Sequence, residues 1–315
     1  MWKSLSQGLG AVVLHTGSGP LTVALRKVFR FRRRWITTPQ GRFLVDPFSY
    51  FGFHLVRNGI YEPDLLRFLE THLEPGDVVV DAGAHEGYFG TVAAQIVGPT
   101  GRVVAIEPQS RVRPILQRNI EANGLTNVTV APCAVSDVQG TAQMHLDMGW
   151  NTGGTSIIKQ SRFRLPTELV ATRRLVDILD EAGVDQVALI KSDIEGFEYE
   201  MILGSPELFR DRRVRTLALE LHGNHLRARG RNPDDINDFL LDCGYVLDRA
   251  ESSNLGSHYA TMIYVLPPST GSDQRITAAT CAGADTARPR LARHSSRAGR
   301  TAAGAASPIE EETSR

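Results

Sequence analysis

The feature that most constrains this chain is a run of alternating segments: "DVVVDAG" (77–83), "YFGTVAAQIVG" (88–98), "RVVAIEP" (102–108), "RVRPILQRNIEANG" (111–124) and "NVTVAPCAV" (127–135). The first, third and fifth are apolar throughout, as strands covered on both faces must be; the others carry the spacing of amphipathic helices. Strand, helix, strand in this order predicts right-handed crossovers on a parallel sheet, an α/β fold with helices on both faces. The rhythm breaks at the polar, glycine-rich stretch 136–160, which holds one further strand near 142–146. It resumes with a helix over 172–181, the run "QVALIKSD" (186–193), a helix opening near Glu195, the run "VRTLALELH" (214–222) and a helix over 233–243. Two last strands, "YVLDRA" and "YATMIYVL", read as an antiparallel pair and bring the count of the main sheet to seven. Upstream, 36–77 reads as a mix of short aromatic-rich strand-like pieces and a helix around Glu62 to His72, with Pro63 in its first turn.

Zero net charge conceals a partition. Eight basic residues and no acid precede Asp46, and seven Arg face five acids from Pro267 onward, so the body between must carry about −10. An acidic body excludes a nucleic-acid groove there, because affinity for phosphate backbones comes from clustered Lys and Arg. No window offers the roughly 20 apolar residues of a membrane span. Cys133, Cys243 and Cys281 are odd in number and lack metal-ligand spacing, so they read as reduced thiols, and the first residues make a poor signal peptide. Cytoplasmic residence is the expectation. The run "RKVFRFRRRW" (26–35) interleaves cations with aromatic residues, which suits peripheral contact with anionic lipid at the inner face of a membrane, or an arm folded on the acidic body. The expected organisation is a basic segment 1–45, an extension 46–72 packing on the core, the main domain 73–266 and a disordered tail 267–315. Oligomeric state stays open.

Two clusters carry the chemistry. "VVVDAGAHEGYFG" places Asp81, Gly83 and Gly87 at the turn from the first strand into its helix, where glycines admit a ligand close to the backbone. Glu107 closes the next strand, the position from which an acid holds ribose hydroxyls. The spacing departs from a dinucleotide fingerprint, and Asp81 would repel a pyrophosphate while suiting a sulfonium or ammonium ligand. The second cluster is "LIKSDIEGFEYE" (189–200). Lys191 and Asp193 share a strand face, Asp193 lies at the carboxyl end where open sheets bind ligands, and Glu195 and Glu198 follow three residues apart. A lysine in an apolar strand needs a partner, Glu198 or Asp193.

These stretches, with "APCAVSDVQG", "NTGGTSI" and "RRLVDIL", resemble the FkbM family of S-adenosylmethionine-dependent methyltransferases over about Leu73 to Leu266. Lys191, Asp193, Glu195, Gly196 and Glu198 match the family's K-x-D-x-E-G-x-E core. The resemblance implies a seven-stranded class I methyltransferase (Rossmann-like) sheet with an antiparallel last strand. It implies S-adenosylmethionine contacts at Asp81, Gly83 and the turn containing His85, Gly87 and Tyr88, with Glu107 on the ribose and Ala134, Ser136 and Asp137 near the adenine. The implied reaction class is O-methylation; the lack of a basic groove and the lipid-compatible head direct the acceptor reading to a sugar, glycolipid or polyketide-like molecule, and the placement of the charged cluster puts Asp193, Glu195, Lys191 and His222 at the chemistry.

Asp193 is the first candidate to take the hydroxyl proton and His222, whose ordinary pKa suits neutral pH, the rival. Lys191 and Glu198 have a second reading as a buried clamp without a role in chemistry. A divalent-metal site is a third reading, because acids at this strand end ligate magnesium in some other methyltransferases; a hard cation wants several oxygens and only Asp193, Glu195 and Glu220 offer them, so no metal ligands are assigned. Trp150 and Asn151 suit stacking on a sugar ring. A non-catalytic nucleotide-binding module and an NAD-dependent oxidoreductase are the alternative functions.

Overall fold

The computed structural model describes residues 32–47, 49–146, 166–254 and 261–267. The expectations on residues 26–31, Trp150, Asn151, Cys281 and the tail beyond Pro267 lie outside the described residues.

The described residues open with a hairpin, β1 (Arg34–Thr38) and β2 (Gly41–Val45), then helices α1 (Tyr50–Asn58) and α2 (Pro63–His72). The alternating region follows as β3 (Val78–Ala82), α3 (Tyr88–Val97), β4 (Arg102–Ile106), α4 (Arg113–Ala122) and β5 (Val128–Ala131). Next come the short strands β6 (Ala134–Val135), β7 (Gly140–His145) and β8 (Thr167–Arg173), then α5 (Leu175–Glu181), β9 (Val187–Ser192), α6 (Glu198–Leu203) and α7 (Pro206–Arg210). The chain continues through β10 (Val214–Glu220), α8 (Gly223–Ala228), α9 (Asp234–Asp242), β11 (Val246–Asp248), α10 (Arg249–Asn254) and β12 (Thr261–Val265).

Seven strands form one sheet in the order β5-β4-β3-β9-β10-β12-β11, with β12 antiparallel to both neighbours and the other neighbouring pairs parallel. This is the seven-stranded methyltransferase sheet the sequence led us to expect. Its central strands send successive residues to opposite faces, as the pleat requires. Val80, Val104, Ile190 and Leu217 pack with Leu179, Met201 and Phe209 on one face. Val79, Val103, Leu189 and Ala218 pack with α3, α2 and the hairpin residues Phe43 and Val45 on the other. The hairpin and the two helices after it therefore share a core with the sheet. Chain order reverses between β3 and β9, and the carboxyl ends of those strands open the crevice where such sheets take ligands.

Several elements differ from the sequence reading. Of the strand-like pieces expected from Ile36 onward, the first two are β1 and β2, but the aromatic-rich stretch after Asp46 is helix α1, capped by the Ser49 side chain, which accepts a hydrogen bond from the Gly52 amide. "NVTVAPCAV" is split at Pro132, which has no amide proton to give a sheet; β6 then leaves for a second, three-stranded sheet, β6-β8-β7. Thr172 and Arg173, read as the start of a helix, end β8 instead, and the helix after Glu195 starts only at Glu198. The last strand pair is antiparallel as expected, with α10 lying between its members. Among the described residues, no helix is long and apolar enough to cross a membrane.

Candidate active site

The glycine turn follows β3. Gly83 and Ala84 both donate their amide hydrogens to the Ile106 carbonyl at 3.0 Å, which draws the turn over the end of β4. Gly83 has φ +84°, and a Cβ there would overlap the carbonyl oxygen of Asp193, so only glycine lets the two strand ends meet. His85 holds a left-handed φ of +48° without being glycine. Its amide donates to Glu107 Oε2 at 2.7 Å, and the Gln109 amide donates to Oε1 at 2.8 Å. Burial pushes the Glu107 pKa up to about 7 against the pull of those two amides.

Asp81 lies beneath this turn, fully buried, accepting a hydrogen bond from the Gly90 amide at 3.0 Å. Burial raises its pKa to about 6, against the opposing charge of Lys191, whose Nζ stands 3.9 Å from Asp81 Oδ1. The two are paired across the sheet, since β3 and β9 are neighbours with Asp81 opposite Lys191. Lys191 also stands 3.7 Å from Asp193 Oδ2. Burial alone would lower its pKa, but Asp193, Asp81, Glu62 and Glu220 together raise it, so the ammonium stays charged. Of the two expected partners, Asp193 is therefore the one beside Lys191, and the alternative Lys191–Glu198 clamp is corrected.

Glu198, fully buried, faces His222 instead: Oε1 meets His222 Nδ1 at 2.8 Å and also accepts the Gly196 amide at 3.0 Å. The other ring nitrogen, Nε2, points at three carboxylates, 3.6 Å from Glu195 Oε2 and 3.9 Å from both Asp193 Oδ1 and Glu220 Oε1. Burial would lower the His222 pKa, but the Glu198 hydrogen bond and the charges of Glu198, Glu195 and Asp193 push it up to about 9. His222 is therefore an imidazolium near neutrality, a correction to its reading as a base of ordinary pKa. Glu220 is pushed up to about 8 by burial and by Asp193.

One open cleft joins the two clusters; Gly83, His85, Glu107, Ala134, Asp193 and Glu195 all line it. The remaining expected residues lie elsewhere. Asp81 and Lys191 are not among the residues lining it, and Gly87 caps α3 with φ +82°. Tyr88 packs in an aromatic cluster with Phe43, Phe51 and Tyr61. Ser136 is buried and its hydroxyl donates to exposed Asp137, which packs against Gly204. Two contributors were not foreseen. Glu62, held at φ +46° ahead of α2, places a carboxyl within electrostatic reach of Lys191 and Asp193. Arg33 of the basic head pairs at 2.7 Å with Glu86, a buried residue of the glycine turn.

A family profile described as "Methyltransferase FkbM domain" matches residues 81–247, more than half of the chain. The chain belongs to the FkbM methyltransferase family. The matched range opens at Asp81 and closes at Leu247, so it takes in both clusters of the cleft and leaves out Glu62, Arg33 and the hairpin. Among curated relatives, the AMB antimetabolite synthetase AmbE of Pseudomonas aeruginosa is 25% identical over 55% of this chain and 10% of its own length. The 2-O-methyltransferase NoeI of Sinorhizobium fredii is 28% identical over 42% of this chain and 59% of its own. The 31-O-demethyl-FK506 methyltransferase FkbM of Streptomyces tacrolimicus is 29% identical over 48% and 67%. The chain thus spans less than two thirds of the first two relatives. Within this FkbM domain, the K-x-D-x-E-G-x-E stretch is the end of β9, a left-handed turn at Glu195 and Gly196, and the first residue of α6.

Proposed function

We propose that this FkbM domain transfers the methyl group of S-adenosylmethionine to a hydroxyl of a sugar, glycolipid or polyketide-like small molecule. The observation that carries the reading is that Glu107 and Asp193 line one cleft. A group able to hold ribose hydroxyls and a group able to take a hydroxyl proton therefore face the same space. Oxygen as the acceptor atom is supported by the two relatives named as O-methyltransferases.

The residues present fit the cofactor. Each Glu107 oxygen accepts one backbone amide, which fixes the carboxyl and leaves lone pairs for hydroxyl donors. The glycine at 83 leaves the wall of the cleft without a side chain. When bound, S-adenosylmethionine supplies a methyl on a sulfonium, whose C–S bond breaks as the bond to the acceptor oxygen forms, giving S-adenosylhomocysteine and a methyl ether. Asp193 orients the acceptor hydroxyl and receives its proton. Lys191 holds Asp193 from one side and the His222 imidazolium from the other, so the carboxylate is steered without being capped by a short hydrogen bond.

The test is calorimetric titration of the full chain with S-adenosylhomocysteine, with Glu107→Ala and NAD as comparisons. Micromolar binding that Glu107→Ala weakens by about tenfold or more, in a variant that still melts cooperatively, is expected for a lost charge-assisted contact. Binding of NAD in place of S-adenosylhomocysteine would overturn the reading in favour of an oxidoreductase.

A further inference from the structure

We propose that Asp193, Glu195 and His222, with Glu220 beside them, form a binding site for one divalent cation at the acceptor end of the cleft. One donor atom from each of the first three residues lies within 4.8 Å of the others. The separations of His222 Nε2 from Glu195, Asp193 and Glu220, 3.6, 3.9 and 3.9 Å, exceed the roughly 2.7–3.2 Å of a hydrogen bond. They match what one ion would impose, since two donors each about 2.1–2.2 Å from a shared metal stand roughly 3–4.3 Å apart.

A second observation, independent of the carboxylates, concerns the imidazole. The His222 side chain is only 3% exposed, and its Nδ1 is held by Glu198, which is itself fully buried. A carboxylate behind the far nitrogen of an imidazole is the arrangement that orients ligating histidines, because it fixes the ring and raises the basicity of the nitrogen facing the metal. Here it aims Nε2 at the three carboxylates; an ion bound there takes the place of the Nε2 proton, so binding releases that proton and strengthens as pH rises. The ring is further held by His225, which stacks on it at 5.4 Å with an interplanar angle of 4°.

The donor set is mixed, one nitrogen with two or three carboxylate oxygens, which suits manganese(II) or a similar first-row ion better than calcium. Asp193 and Glu195 line the cleft, so the open coordination positions face the space the acceptor would occupy. If the methyl-transfer reading above holds, a hydroxyl or vicinal diol of the acceptor binds there, and the ion lowers the pKa of the coordinated hydroxyl before its proton leaves. The cation site itself does not depend on that reading.

The test is titration of the chelator-treated full chain with Mn2+, followed by loss of the free-ion electron paramagnetic resonance signal, with S-adenosylhomocysteine binding measured on the same preparation. One Mn2+ per chain is expected, with affinity reduced about tenfold or more in Asp193→Asn, Glu195→Gln and His222→Gln and unchanged in Glu70→Gln, on the exposed side of α2. Melting curves in chelator establish that each variant is folded. Absence of stoichiometric Mn2+ binding by the wild type, or equal affinity in all three folded site variants, would overturn the site. S-adenosylhomocysteine binding without Mn2+ binding defeats only the cation site; Mn2+ binding alone leaves the cation site standing and defeats the transferase reading.

Discussion

Replacing Glu198 by Gln removes one buried charge while keeping an oxygen that can accept from His222 Nδ1 and from the Gly196 amide. In the native protein burial pulls the His222 pKa down, and the Glu198 hydrogen bond and charge lead the groups that bring it up to about 9 from an ordinary 6.5. Exchanging a charge-assisted hydrogen bond for a neutral one, and losing a charge at contact distance, is worth about 2–3 kcal/mol, or about 2 pH units. The folded-state midpoint should therefore fall to about 7. Because the native pKa is raised above the unfolded value, protonated His222 stabilises the fold fully below about pH 6.5, and that contribution, about 3 kcal/mol at most, disappears as pH rises through about 9. Glu220, raised to about 8, acts with the same sign, so native stability should decline across this window and the decline should flatten in Glu198→Gln. Imidazole chemical shifts of His222 against pH, in chelator, read the midpoint directly, and melting temperatures over the same range read the linkage. A native midpoint at or below 6.5, or one that Glu198→Gln leaves in place, would refute the assignment of Glu198 as the controlling charge.

Gly83→Ala should destabilise by about 2 kcal/mol or more, because φ +84° costs an L-residue about 1–2 kcal/mol and the added methyl meets the Asp193 carbonyl. A melting temperature equal to wild type would show that the glycine is not required there. Asn119→Ala should cost about 2–3 kcal/mol in chemical denaturation. The buried Asn119 amide accepts from the Leu44 amide and donates to the Glu86 carbonyl, each at 2.7 Å, tying hairpin to glycine turn, and both partners would lose a hydrogen bond. A cost below about 0.5 kcal/mol would mean the two groups find other partners.

The alternating core was legible because its strands are apolar on both faces and its helices keep one period; the order of the sheet then follows from crossover handedness. Helix α1 was not, because Phe51 and Phe53 alternate like a strand, although Ser49 ahead of them is a helix-start signal. Strand β8 escaped notice because it is half-exposed, with Leu169 at 71% exposure and only Val170 and Thr172 buried. In the site, the carboxylates and His222 were recognisable as a group, but their pairing was not. Asp81 reaches Lys191 only through the β3–β9 register, 110 residues apart in sequence, and once that pair forms Glu198 is left to His222. Glu62 arrives from outside the repeating pattern, on a residue whose left-handed backbone no residue preference would suggest.

The central claim is that one cleft brings a methyl donor held at Glu107 to a hydroxyl held at Asp193. It is tested most directly by incubating the full chain with S-adenosylmethionine bearing a deuterated methyl group and a panel of hydroxylated glycans, glycolipids and macrolides, with the products read by mass spectrometry. The account predicts label on an acceptor oxygen in the wild type, and its loss in Asp193→Asn while S-adenosylhomocysteine binding persists. Label on nitrogen or carbon, or undiminished transfer by Asp193→Asn, would contradict it.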